Sequence, residues 1–385
     1  MSDVDLIENS LNRRAWIIMA GTALSACGGS GSGQYAGSPG TGGTGSPLYA
    51  QGSIAGFGSV IVNGITFNDV QAQVQLNGVA ATSADLRLGM VADIEGERGI
   101  DLTMATATRI EVWSIGQGVI SQIVGSDFVV SGMTIQTKAN TVFDGVAAVS
   151  QLRVGQAVAV WGLQVSADGN VWQATRVATL PAVTQVVSSG QVLVANQQVS
   201  LNAWVLTGSK LAELAAGSLV RVEGVPSVDG LGLNVTQVRS LAAAAVNPSE
   251  GEVEIEGFVT ALVAGSQLTL GNIEVDISNA SYSPVGAQIG LGARVEIYGT
   301  WVAGLLKARR VELEDEQSAH VTEISGTITS FSSIASFIVR GQRCDASTAE
   351  ISHGNASDLK VGVQIKVKGS TVGDVLLVTK LEFDD

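Results

Sequence analysis

The chain has 385 residues, 45% of them apolar and only 15% charged, with 47 glycines and a net charge of −14. A single domain of that length is unusual. So acidic a chain, with no basic run longer than Arg309-Arg310, repels phosphate backbones and sets nucleic acid aside as a partner.

The N-terminus is read first. Arg13-Arg14 precede a short apolar run from Ala15 to Ala26, which ends in Leu24-Ser25-Ala26-Cys27. A basic pair before so short a run marks residues 1–26 as a signal peptide. Leu24, Ser25, Ala26 and Cys27 resemble the bacterial lipobox, which implies cleavage before Cys27, lipidation of its thiol and a membrane anchor. Gly28, where a retention signal would place Asp, implies sorting to the outer membrane. Asn12 to Ile17 are similar to a twin-arginine export signal, so the export route stays open. Residues 27–50 are rich in Gly, Ser, Thr and Pro, cannot bury a core, and read as a flexible tether reaching roughly 25–30 Å.

From residue 51 onward the chain repeats. Two glycines stand seven apart around an alternating apolar strand at Gly89–Gly96, Gly155–Gly162, Gly217–Gly224, Gly292–Gly299 and Gly362–Gly369. Upstream of each pair an alternating run enters and leaves a Gly or Asn, the pattern of a tight hairpin. These hairpins are Val60-Val62-Gly64-Phe67, Phe128-Val130-Gly132-Ile135, Val192-Val194-Asn196-Val199, Leu268-Leu270-Asn272-Val275 and Phe337-Val339-Gly341-Cys344. Downstream, a half-buried strand closes each unit, as in Ala107-Thr108-Arg109-Ile110 and Ala174-Thr175-Arg176-Val177. The expected domains are repeats at 51–113, 114–178, 179–246, 247–316 and 317–385, the third degenerate and without a leading glycine on its opening strand. Units this small are marginal alone, so neighbours are expected to lean on one another. Five or six short antiparallel strands must close to hide their edges. The fold class is therefore all-β, a tandem array of five small OB-like or Greek-key barrels, with a two-sheet sandwich as the runner-up.

The hairpin, the Gly-to-Gly strand and the closing strand together resemble the tandem domain-of-unknown-function repeats (DUF5666) of bacterial lipoproteins. That resemblance spans 51–385, least clearly 179–240, and implies an OB-like barrel and an envelope location. It supplies no catalytic residue.

Candidate chemistry is sparse. His320 and His353 read as solvated loop residues, and no His, Cys or Asp spacing makes a metal site or triad. Cys344 falls in an apolar strand register and reads as a small buried hydrophobe. Glu250, Glu252, Glu254 and Glu256 share one strand face. They read as a charged edge that blocks sheet pairing, in preference to a divalent-cation site. Glu312, Glu314, Asp315 and Glu316 read as a solvated linker. Asp85 and Asp358 read as turn caps, which weakens a carboxylate-based glycan hydrolase.

The outward positions of the Gly-to-Gly strands differ in every copy: Asp93/Glu95, Ala159/Trp161, Arg221/Glu223, Glu296/Tyr298 and Lys366/Lys368. Such variation suits an interaction surface and equally suits a drifting solvent face. Trp161, Trp172, Tyr298 and Trp301 are the candidate ligand-contacting residues, as stacking platforms for sugars, with packing against neighbours the competing reading. The expected function is a lipid-anchored cell-envelope protein acting as a non-catalytic, multivalent binding or scaffolding module. No cofactor is expected, and the partner is an envelope protein or a polysaccharide. A polysaccharide-binding protein and a glycan hydrolase are the alternatives.

Overall fold

The computed structural model describes residues 46–241, 251–263, 266–314 and 321–384. All of them belong to one compact unit, Thr44–Asp385. Leu24 to Cys27, Glu250, Asp315, Glu316 and His320 lie outside the described residues.

The last copy shows how the sequence closes a barrel. Its opening strand, Thr322–Ser333, pairs antiparallel with Ser336–Val339, which turns through Arg340-Gly341 into Gln342–Asp345. That third strand runs parallel to the closing strand, Val375–Phe383. The Gly-to-Gly strand, Gln364–Val372, pairs with the closing strand on one side and the opening strand on the other. The circuit is first, second, third, fifth, fourth and back to first, which is an OB-type closure. Apolar side chains alternate inward, with Ile324, Ile328, Val339, Ile365, Val367 and Leu381 buried. A short strand, Glu350–Ser352, lies parallel to the closing strand, and a 3-10 turn follows it. Asp358 caps that turn by accepting from the Asn355 N–H, and Asp85 does the same for Thr82 in copy one.

All five copies close this way, with opening strands Ser46–Phe57, Gly116–Val124, Val186–Ala195, Glu252–Val263 and Thr322–Ser333. The five-barrel reading therefore holds, and the sandwich is set aside. Barrel one begins at Ser46, so the last residues assigned to the tether are already strand.

The glycine pair has two separate causes. The first glycine of each pair sits at φ between +74° and +92°, the left-handed region that penalises a Cβ. The second glycine lies at a β-bulge against the closing strand in every copy. A Cβ there would stand well inside 3.0 Å of a carbonyl oxygen on the facing strand. The motif is thus a backbone requirement, indifferent to what the domain does.

Copy three departs from the expected register. Its opening strand runs on through Val192 and Val194 to Ala195, turns at Asn196-Gln197, and pairs with Gln198–Leu201. The hairpin equivalent to the others is the next one, Gln198–Leu201 into Trp204–Thr207 around Asn202-Ala203. Gly190 pairs with Val220 as Gly118 pairs with Val158, so this copy does carry the leading glycine.

Barrel one is the hub. Its opening strand pairs parallel with that of barrel four, Leu48 to Gln51 against Glu252 to Ile255. The far end of the same strand pairs with Glu323-Ile324 of barrel five. Barrels one and five share one apolar cluster, into which Val142, Ala159 and Trp161 of barrel two also insert. Thr175 of barrel two donates to the Gly89 carbonyl at 2.6 Å. Barrels two and three are joined by Ser188 and Ser189, fully buried and donating to Ser131 and Ile115 carbonyls at 2.9 and 2.7 Å. Cys344 is buried in the shared cluster, and burial pushes its thiol up to about 12, which leaves it unreactive.

Candidate functional site

The site is assembled from side chains that point away from barrel cores. In barrel three the Gly-to-Gly strand, Leu219–Pro226, sends Val220 and Val222 inward and Arg221 outward. Arg221 is nevertheless only 1% exposed. Its Nε donates to the Ser114 carbonyl at 2.7 Å, and its Nη2 donates to Asn77 Oδ1 at 3.2 Å. Nη2 also reaches Glu223 at 3.3 Å. Burial lowers the guanidinium to about 10, against the pull of Glu223, so it stays charged at neutral pH.

The Trp113 ring at the end of barrel one lies 5.1 Å from the Arg221 guanidinium carbon and 4.9 Å from that of Arg239. These are cation–π distances, and they strengthen where water is excluded. Arg239 also pairs with Asp93 Oδ2 at 2.7 Å. Asp93 Oδ1 accepts from Tyr49 Oη and Gln51 Nε2 at 2.9 and 2.7 Å. Burial, and then Asp93, raise the Tyr49 phenol well above its usual value.

Around these residues lies a cavity of about 110 Å³ to which barrels one, two, three and four all contribute. Barrel two brings Leu163, Gln164 and Trp172, and barrel four brings Glu256, Leu270 and Asn272. Glu256 accepts from the Ser53 N–H at 3.0 Å and from Arg294 Nε at 2.7 Å. Two buried donors on lining residues have no partner: Arg221 Nη1 and Asn272 Nδ2. A second space, between barrels two and five, is lined by Arg176, Asp144, Arg343 and Asp374, whose charges are paired with one another.

The four aromatic candidates fall in different places. Trp161 is buried in the cluster shared with barrels one and five, and Trp301 packs half-buried against the barrel-four core. Tyr298 lies under the Arg98 guanidinium at 5.6 Å. Trp172 lines the cavity, its Nε1 donating to the Gly169 carbonyl at 2.7 Å. The structure thus brings Trp172 to the junction and leaves the other three in barrel contacts. Trp113, Asn77 and Arg239 are junction residues that the repeat pattern did not single out, and Asn272 stood in it only as the turn residue of a hairpin. The only signal for Trp113 was its position, a tryptophan directly after a closing strand at a repeat boundary.

The glutamate row is a correction. Glu252, Glu254 and Glu256 do not guard a free edge; their strand is paired with barrel one. Arg98 of barrel one reaches Glu252 at 2.8 Å and Glu254 at 2.6 Å. Arg294 and Ser53 hold Glu256. Beside them, burial and then a hydrogen bond to Glu254 push Glu296 up to about 10 from 4.5. Among the described residues no group of three or more His, Cys, Asp or Glu is placed to hold a metal ion.

Glu296 makes stability fall with rising pH. Folding raises its pKa, so the folded chain holds a proton that the unfolded chain gives up above pH 4.5. Its contribution is complete below that pH and is lost progressively up to pH 10. The slope for one proton is at most about 1.4 kcal/mol per pH unit. Glu296→Gln, which keeps a donor and removes the titration, is expected to equal the parent near pH 4 and exceed it at pH 8. Urea midpoints across that range read the difference, and parallel curves would remove Glu296 as its source.

Three segments, residues 117–178, 256–312 and 325–382, match the family described as Domain of unknown function (DUF5666). They are barrels two, four and five. No curated protein matches the chain. Barrel one carries an extra short strand, Val79–Ala81, and barrel three lacks the short strand before its 3-10 turn, yet both close in the same strand order. The chain carries tandem DUF5666 domains, three of its five barrels matching that family.

Proposed function

We propose that this is a lipid-anchored cell-envelope protein that works as a non-catalytic binding and scaffolding body, with its ligand seat at the four-barrel junction. The observation that carries the seat is the pair of buried, unpartnered donors on residues lining a cavity that four copies build together. The variable outward positions support one composite seat over many separate faces. Asp93, Trp161, Arg221 and Tyr298 are occupied by contacts between barrels, so variation there follows from each copy meeting a different neighbour.

The anchor rests on the lipobox resemblance of Leu24 to Cys27, and one structural feature is consistent with it. Ser46 pairs with Arg98, and Glu252 pairs with Thr300 while its strand runs parallel to that of Ser46. The hairpin tips after Arg98 and Thr300 therefore lie at the same end of the body as Ser46, where the described chain begins. That end carries Ile100, 103% exposed, with Leu102, Met104 and Val302 also exposed. Exposed apolar tips at the end where the described chain begins suit contact with a lipid surface. The test is metabolic labelling with an alkyne fatty acid, combined with crosslinking in cells. Label on the parent and its loss in Cys27→Ser, with a recurrent envelope partner captured, is the expected result. An unlabelled parent overturns the anchor, and capture of nothing overturns the scaffold.

A further inference from the structure

Resting on the binding reading above, we propose that the junction cavity takes a small organic carboxylate, with the carboxylate on Arg221 Nη1 and Asn272 Nδ2 and the apolar body against Trp113, Trp172 and Leu163.

Three observations select this class. Among the lining residues, the buried atoms without a partner are both donors. What the site lacks is therefore an acceptor, and a bare cation has no place there. A carboxylate is acceptor-only when ionised, so it satisfies both donors and adds no donor of its own. A sugar would bring several hydroxyl donors to lining carboxylates already engaged, Asp93 by Tyr49, Gln51 and Arg239, and Glu256 by Ser53 and Arg294.

Charge gives the same answer. Arg239 is balanced by Asp93 at 2.7 Å, but Arg221 holds Glu223 only at 3.3 Å and through Nη2 alone. A guanidinium buried to 1% exposure with one terminal nitrogen unbonded carries the full desolvation cost of that N–H. A carboxylate on Nη1 would make a charge-assisted bond there, the stronger kind. The remaining wall is mostly apolar, with Val91, Ile115, Leu163, Leu270 and Ile273 beside the two indoles. Apolar walls with a few placed donors are the usual composition of a small-molecule site. A volume of about 110 Å³ suits a short-chain or single-ring acid.

The test is calorimetric titration of the full chain, purified in detergent, with acetate, isobutyrate and benzoate, and with inorganic phosphate and glucose alongside. One-site binding of isobutyrate or benzoate, weakened about tenfold or more in Asn272→Leu, is the expected result. Asn272→Asp, which sets a like charge against the ligand, is expected to abolish binding. Arg221→Gln is a weaker probe because Arg221 also joins barrels one and three; the Asn272 variants leave those bonds intact. Binding of phosphate or glucose alone, lost in Asn272→Leu, overturns the carboxylate and leaves the seat standing. Binding that survives both Asn272 variants overturns the placement. No binding by any probe overturns the ligand class and the seat together.

Discussion

Gly96→Ala is expected to destabilise the entire described body, whereas Gly369→Ala, the same substitution in barrel five, is expected to loosen barrel five alone. The local insult is alike. Each glycine is the second of its pair, at the bulge between the Gly-to-Gly and closing strands, with a carbonyl of the facing strand where a Cβ would go. Neither obstacle is a flexible side-chain end, so the strands must separate. Overpacking of this sort costs about 1–3 kcal/mol. The consequences differ because barrel one touches all four others. Its opening strand extends the sheets of barrels four and five, its Gly89 and Leu88 carbonyls accept from Thr175 and Arg176, and Asp93 holds Arg239. Hydrogen exchange read peptide by peptide separates the outcomes. Gly96→Ala should raise exchange in all five barrels, and Gly369→Ala only in residues 322–384. Equal spread from both sites would remove barrel one as the hub.

The glycine pairs were legible because a left-handed turn and a bulge with no room for a Cβ are written into single positions of the local chain. The hairpins were legible in four copies for the same reason. Copy three misled through spacing. Val194 stands 23 residues before Gly217, just as Val339 stands 23 before Gly362, whereas the true hairpin residue Leu201 stands only 16 before Gly217. The short strand present in the other copies is missing there, and the alternating pattern Val192-Val194-Asn196-Val199 falls at an interval close to those of the other hairpins, so it pointed to Asn196-Gln197. That turn is real and left-handed (φ 51° and 64°), but it ends the opening strand.

The junction was not legible, and the cause is sequence distance. Arg221 meets Ser114 and Asn77, Arg239 meets Asp93, and Glu254 meets Arg98, all partners more than a hundred residues apart. Period-two patterning says which face of a strand points outward from its own barrel; it carries no information about whether another barrel waits there. A row of alternating glutamates therefore has the same pattern on a solvated edge as in a buried joint. Arg98 and Arg221 look, in sequence, like ordinary polar strand residues.

That difference makes Arg98→Met the second large effect. Arg98 is buried between barrels one and four, bridging Glu252 at 2.8 Å and Glu254 at 2.6 Å, donating to the Leu102 carbonyl and lying over the Tyr298 ring. Methionine fills much of the volume but leaves two glutamates facing barrel one beside Glu296 with no cation between them. Removing one side of a buried ion pair costs about 3–5 kcal/mol, most of it the stranded charge. Because the cost is charge, acid should relieve it. The urea midpoint of Arg98→Met is expected to lie far below the parent at pH 8 and to approach it in acid, where the stranded charge is removed. The triple variant Arg98→Met, Glu252→Gln, Glu254→Gln should recover much of the loss at pH 8, since the amides leave no net charge to strand. A loss that is the same at every pH and is not recovered by the amides would mean that Arg98 acts through its packing on Tyr298, and the joint between barrels one and four would then be apolar in its energetics despite its ions.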